Sequence, residues 1–171
     1  MPYIGSRGVL FCPEATEGRT PAPGTLVIGG RHATWSDARQ YPSDPLDCGS
    51  YGQNMWLNHF ANSIQNWAQP ESLHFGGKTT SPPRPSSVPM VGECHWVGGY
   101  PRDTDVPWDV EWEGFQLGGN MMNRFTMNRH MGKANLVFLD GTSRSVPLGD
   151  MWQLIWSKSY TPQFVVLPWA E

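Results

Sequence analysis

The apolar positions of this chain fall in short bursts separated by polar, proline-bearing stretches, and only the last third is regular. ANLVFLDGTSRSVPL, residues 134–148, places a run of apolar and β-branched residues before an Asp-Gly pair and a second strand-compatible run after it. That order predicts a β-hairpin, because glycine readily takes the positive φ such turns need. Earlier bursts predict short strands at GVLFCP (8–13), stopped by Pro13, at TLVIGG (25–30) and at VPMVGECHW (88–96). Across 47–67 no proline follows the Asp-Cys-Gly turn, and Trp56, Phe60, Ile64 and Trp67 recur three or four apart, which predicts a short amphipathic helix. DMWQLIWSK (150–158) fits either a helical turn or another strand.

Between these elements lie loops. EATEGRTPAPG (14–24) is polar and proline-bearing, and the proline- and serine-rich run at 76–89 predicts a flexible surface loop. YPRDTDVPWDVEWEG (100–114) gathers acids, proline and tryptophan into an expected irregular loop. With 19 Gly and 16 Pro in 171 residues, the chain turns too often for a helical bundle. The expected fold is a single α+β, β-rich domain over 1–171: a small antiparallel sheet with long Pro/Gly-rich loops and one short helix.

Charge and apolar length narrow the partners. A net charge of −3 with 16% charged residues lacks the concentrated basic surface that grips nucleic acid. No apolar run approaches the roughly 20 residues that span a bilayer, and no charged and apolar leader follows Met1, so this segment is expected to make no membrane contact itself. The 9 Trp support either interior packing or stacking on sugars. Trp35, Trp96, Trp108 and Trp112 lie in loop-like contexts and are the candidates for binding polysaccharide. Cys12, Cys48 and Cys94 permit one disulfide in three possible pairings, or three buried thiols, and their spacing does not suggest a zinc site.

Candidate chemistry centres on His130 and Asp140. A strand rises about 3.3 Å per residue, so an extended 134–139 puts the two side chains at opposite ends, beyond hydrogen-bond reach. Each is expected to act locally, Asp140 on the turn backbone and His130 on a carbonyl where the strand begins. There is no G-x-S-x-G, no H-E-x-x-H and no phosphate loop. The acids Asp103, Asp105, Asp109, Glu111 and Glu113 offer oxygen ligands for calcium but lack the glycine and terminal glutamate of an EF-hand, and a solvated loop is expected. They also leave open a glycan hydrolase pairing two carboxylates with a histidine such as His95. His32, His59, His74 and His95 are dispersed and nominate no metal ligands. No catalytic residue and no metal site is assigned.

His130, nine residues and Asp140-Gly141, within RHMGKANLVFLDG, resemble the prepilin-type domain family known by its H-X9-DG motif in planctomycetes and related bacteria. Arg129, Gly132, Ala134, Asn135 and Phe138 fit the same string. LFCPEA (10–15), GSYGQNMWL (49–57) and DMWQLIW (150–156) look like further elements of that family, so the resemblance spans most of the chain.

The resemblance implies a pilin-like globular head, carried in the full protein behind an N-terminal helix that is absent here; the sequence starts almost directly at the first expected strand. The expected role is a structural, non-enzymatic head of a pseudopilin-like subunit in a type II secretion or type IV pilus-like apparatus. Other pilin-like subunits or the secretion apparatus would be its partners, at an extracytoplasmic location in the periplasm or at the cell surface. That setting favours one disulfide, Cys12 to Cys48. No cofactor is expected beyond calcium, which some heads of this kind bind.

Overall fold

The computed structural model describes residues 7–18, 24–37, 48–58, 69–75, 82, 84–111 and 120–170. Two sheets account for its strands. The smaller runs β1 (Leu26–Val27), β2 (Trp35–Asp37) and β3 (Cys48–Gly49), antiparallel in that order. The larger contains β4 (Tyr51–Asn54), β5 (Pro89–Glu93), β6 (Gly98–Gly99), β7 (Lys133–Phe138) and β8 (Ser143–Pro147), in the order β6-β4-β5-β7-β8. Its neighbours are antiparallel except β4 and β6, which run parallel. Ser50 alone separates β3 from β4, so the chain steps directly from one sheet into the other.

The predicted hairpin is present. Along β7, Ala134, Leu136 and Phe138 are buried while Lys133 and Asn135 are exposed, the period-two pattern of a strand with one covered face. Phe138 N–H donates to Thr142 O at 2.8 Å, Gly141 N–H donates to Phe138 O at 2.9 Å, and Gly141 has φ 84°. This is a three-residue loop closed by a left-handed glycine, a common alternative to the two-residue turn. The 88–96 burst likewise contains β5, and the 25–30 burst contains β1.

Other expectations fail for tertiary reasons. The helix predicted over 47–67 is replaced at 48–54 by β3 and β4, because Tyr51, Gly52 and Gln53 pair with Glu93, Gly92 and Val91. Among the described residues of this stretch, Met55–Leu57 winds, as a 3-10 turn capped by the Asn54 side chain. Phe60, Ile64 and Trp67 lie outside the described residues. The 8–13 strand is instead a 3-10 turn, Arg7–Leu10, followed by a tight turn in which Ala15 N–H donates to Cys12 O. Residues 148–153 take the helical alternative, again as 3-10. Of the loop expected at 76–89, residues 76–81 and 83 lie outside the described set, Pro85–Ser87 forms a 3-10 turn, and Pro89 already belongs to β5. Among the described residues the fold is thus β-rich, as expected, but its strands form two sheets, one antiparallel and one mixed, with short 3-10 turns.

The interior explains much of the tryptophan content. Trp56, Trp152 and Trp156 are fully buried in one cluster with Phe125, Leu136, Phe138 and Met151. Each indole N–H reaches a carbonyl, Trp56 to Pro101 at 2.7 Å, Trp152 to Asp105 at 2.7 Å and Trp156 to Met151 at 2.8 Å. A large apolar ring with its single donor satisfied suits a core built from loops. Among the described residues no helix is long and apolar enough to cross a membrane.

Candidate functional site

Between the 3-10 turn Met122–Phe125 and β7, the chain carries Arg129 to the β3–β4 junction and His130 to β5. Arg129 is buried, and its guanidinium donates to Gly30 O at 2.8 Å, Ala33 O at 3.0 Å and Ser50 O at 2.9 Å, with longer bonds from Nε to Gly30 O and Arg31 O. Its planar fork therefore ties the β1–β2 loop to the β3–β4 junction. Lysine, a point charge, lacks that geometry. Two left-handed residues, Met131 at φ 51° and Gly132 at φ 76°, then turn the chain into β7. Asn128 Oδ1 accepts the Gly132 N–H at 2.6 Å, and Gly132 O accepts the Leu148 N–H at 2.8 Å.

His130 does not bond a carbonyl at the strand start, as its position in the sequence suggested. Its Nε2 lies 2.5 Å from Glu93 Oε1 and 3.2 Å from Cys12 Sγ. Glu93, on β5 opposite Tyr51, is fully buried and accepts the Asn135 N–H through Oε2 at 3.2 Å. The Cys12, Glu93 and His130 ligand atoms all lie within 4.8 Å of one another.

Burial, then Glu93, pushes the Cys12 thiol up to about 11, and burial followed by Cys12 and Glu93 pushes Tyr51 up to about 12. A thiol raised this far is protonated at neutral pH and is a poor nucleophile. The ring geometry agrees. A nucleophile, base and orienting acid use the two different imidazole nitrogens, whereas here thiol and carboxylate converge on one. Beside this cluster an open groove of about 550 Å³ crosses the outer face of the larger sheet, lined by Leu10, Tyr51, Val91, Asn135 and Val137 among others.

At the far end of β7, Asp140 Oδ1 accepts from the Thr142 N–H at 3.0 Å and its hydroxyl at 2.7 Å, which holds its carboxyl below the usual range. Asp140 thus bonds the turn as expected. His130 and Asp140 serve separate groups of atoms at the two ends of the strand. Phe138 lies in the core, and the Arg144 guanidinium sits 3.5 Å from its ring centroid.

The remaining candidates are redistributed. Trp35 and Trp96 are not exposed platforms but core residues, in an edge-to-face pair with centroids 5.9 Å apart, and Trp35 Nε1 donates to Tyr51 O at 3.1 Å. Trp108 is half-buried, with its carbonyl accepting from Trp169 Nε1 at 2.9 Å; Trp112 lies outside the described residues. Cys12, Cys48 and Cys94 are all buried thiols with no disulfide among them, so the expected Cys12–Cys48 bridge is not formed and Cys12 faces His130 instead.

The acids do not form one solvated cluster. Asp105 is buried, accepting from the Arg102 and Met122 N–H groups at 3.0 and 2.8 Å, and burial raises its pKa. Asp103 accepts from Thr161, and Glu111 accepts from Asn128 N–H at 2.7 Å beside Arg31. Asp109 is exposed, and Glu113 lies outside the described residues. His95 is buried, and desolvation, then Arg124 and Arg129, drives its pKa down to about 3, leaving it neutral. His74 Nδ1 lies 2.9 Å from Asn58 O, His32 is exposed, and His59 lies outside the described residues.

The sequence reading missed both partners of His130. Cys12 is 118 residues away. Glu93 carried a faint signal: an acid inside an otherwise apolar, strand-forming burst demands a buried partner. Compared with protein-family models, with curated proteins and with solved structures, the chain has no significant match.

Proposed function

We propose that this domain is a structural head of a pseudopilin-like subunit, in a type II secretion or type IV pilus-like apparatus outside the cytoplasm, and that the Arg129–Gly141 string is its framework. One observation carries the reading. Three polar side chains of the string are engaged in holding backbone: Arg129 on Gly30, Ala33 and Ser50, His130 through Glu93 on the Asn135 N–H, and Asp140 on its turn. Residues that serve a reaction keep a reactive group facing a cleft. Here Arg129 and Phe138 face inward and Asp140 lies along the turn.

The test is to express the native-length gene in its own host, isolate surface filaments and membranes, and map the mature N-terminus by mass spectrometry. A mature chain beginning in an apolar helix behind a prepilin-type cleavage site, in the filament or secretion-complex fraction, supports the reading. A chain that starts at Met1 and remains out of both fractions overturns it.

A further inference from the structure

The sulfur, nitrogen and oxygen of Cys12, Glu93 and His130 come from three distant parts of the chain, the turn after residues 7–10, β5 and the loop before β7. They meet with Cys12 and Glu93 fully buried and the His130 side chain 25% exposed. A buried carboxylate is costly, and Glu93 is met here by one N–H, one imidazole and the neighbouring Cys12 thiol. Both neighbours of His130 also address the same ring nitrogen, which cannot serve two partners in line. Three different donor atoms within 4.8 Å of one another match the spacing of ligands around an ion.

We propose that Cys12 Sγ, Glu93 Oε1 and His130 Nε2 form a binding site for a single borderline divalent transition cation, Zn2+ foremost, with a fourth position open beside His130. One thiolate, one imidazole and one carboxylate suit zinc, which takes sulfur at about 2.3 Å, nitrogen at about 2.0 Å and oxygen at about 2.0–2.2 Å. Tetrahedral placement at those lengths separates sulfur from nitrogen by about 3.5 Å and nitrogen from oxygen by about 3.3 Å. The present separations are 3.2 Å and 2.5 Å, so an ion that enters past the partly exposed ring needs the imidazole to withdraw by less than about 1 Å. Binding converts the thiol to thiolate and releases its proton to solvent, and the proton between Nε2 and Glu93 leaves as well, with the neutral imidazole keeping its N–H at Nδ1. Glu93 Oε2 stays on the Asn135 N–H, an outer bond that fixes the carboxylate. Calcium, a hard cation that takes six to eight oxygens, is a poor match for this donor set.

The site stands apart from the filament reading, and the domain as given is enough to test it. The reduced, chelator-treated protein is titrated with Co2+ and then Zn2+. We expect one Co2+ per chain with a thiolate-to-cobalt absorption band that Zn2+ displaces, and affinity at least about 100-fold weaker in Cys12→Ser but unchanged in Cys94→Ser. X-ray absorption at the zinc edge of the unmutated protein then reports one sulfur among light ligands, a reading that holds even if a variant folds poorly. No cobalt–thiolate band in the reduced protein, a band that survives Cys12→Ser, or a zinc shell without sulfur overturns the site.

Discussion

Arg129 Nη1 donates to the carbonyl of Ser50 at 2.9 Å, and Ser50 is the single residue through which β3 of the small sheet becomes β4 of the large one. The same guanidinium holds Gly30 and Ala33 in the loop between β1 and β2. Replacing it takes the donors from Gly30 O and leaves Ser50 O and Ala33 O with only the Cys94 and Gly30 N–H groups, where an unsatisfied buried polar group costs about 1–3 kcal/mol. Arg129→Lys is therefore expected to lose about 2 kcal/mol or more, since an ammonium reaches fewer of these oxygens. Urea unfolding measures the loss, and a variant within about 0.5 kcal/mol of the parent would show that the fork is dispensable.

Glu93 and His130 are expected to behave as one unit. With chelator present, Glu93→Ala uncovers the Asn135 N–H and the imidazole, while His130→Ala leaves a buried carboxylate poorly paired. A double-mutant cycle should give a coupling of about 1–3 kcal/mol, the range for residues in one buried network. Additive single losses would mean that the short contact contributes nothing beyond its two ends.

His95 predicts acid sensitivity. Its folded pKa, about 3, lies below the ordinary value of 6.5, so the unfolded chain binds the extra proton in that interval. The stability is complete above pH 6.5 and falls as pH drops toward 3, by about 1.4 kcal/mol per unit, or about 2 kcal/mol by pH 5. His95→Gln should remove this component of the slope between pH 7 and pH 5. Asp105, whose raised pKa gives a slope of the opposite sign just above 3.8, is common to both proteins and cancels in the comparison. Equal slopes in parent and variant would rule out a buried neutral imidazole as the cause.

What the sequence made legible was local. The β7–β8 hairpin needs only alternation, an Asp-Gly turn and neighbouring residues, and all three lie within Lys133 to Pro147. The 48–54 segment fails as a helix because its pairing partner is β5, some forty residues on, and helical spacing of Trp56 with Phe60 carries no record of that contact. The candidate site was half legible. Arg129, His130 and Asp140 stood out as a string, but Glu93 and Cys12 reach His130 through tertiary contact alone. Trp35 and Trp96 have loop-like sequence contexts because the strands and turns around them are too short to leave a periodic trace.

The two motif glycines separate backbone strain from crowding. Gly132 and Gly141 both have positive φ, 76° and 84°, so alanine is strained at either. At Gly141 a Cβ would meet nothing within 4 Å, and Gly141→Ala should cost about 1 kcal/mol, the conformational component alone. At Gly132 a Cβ would run into the Ala170 carbonyl oxygen, so the C-terminal segment must move away or the turn must open. Opening that turn would disturb the Asn128 cap and the Leu148 bond, and with them the approach of His130 to Glu93. Gly132→Ala should therefore cost about 2–3 kcal/mol and shift the His130 ring resonances in an NMR spectrum, whereas Gly141→Ala should leave them in place. Equal losses for the two variants would mean that Ala170 yields freely, and that the loop before β7 is held by Arg129 and Asn128 alone.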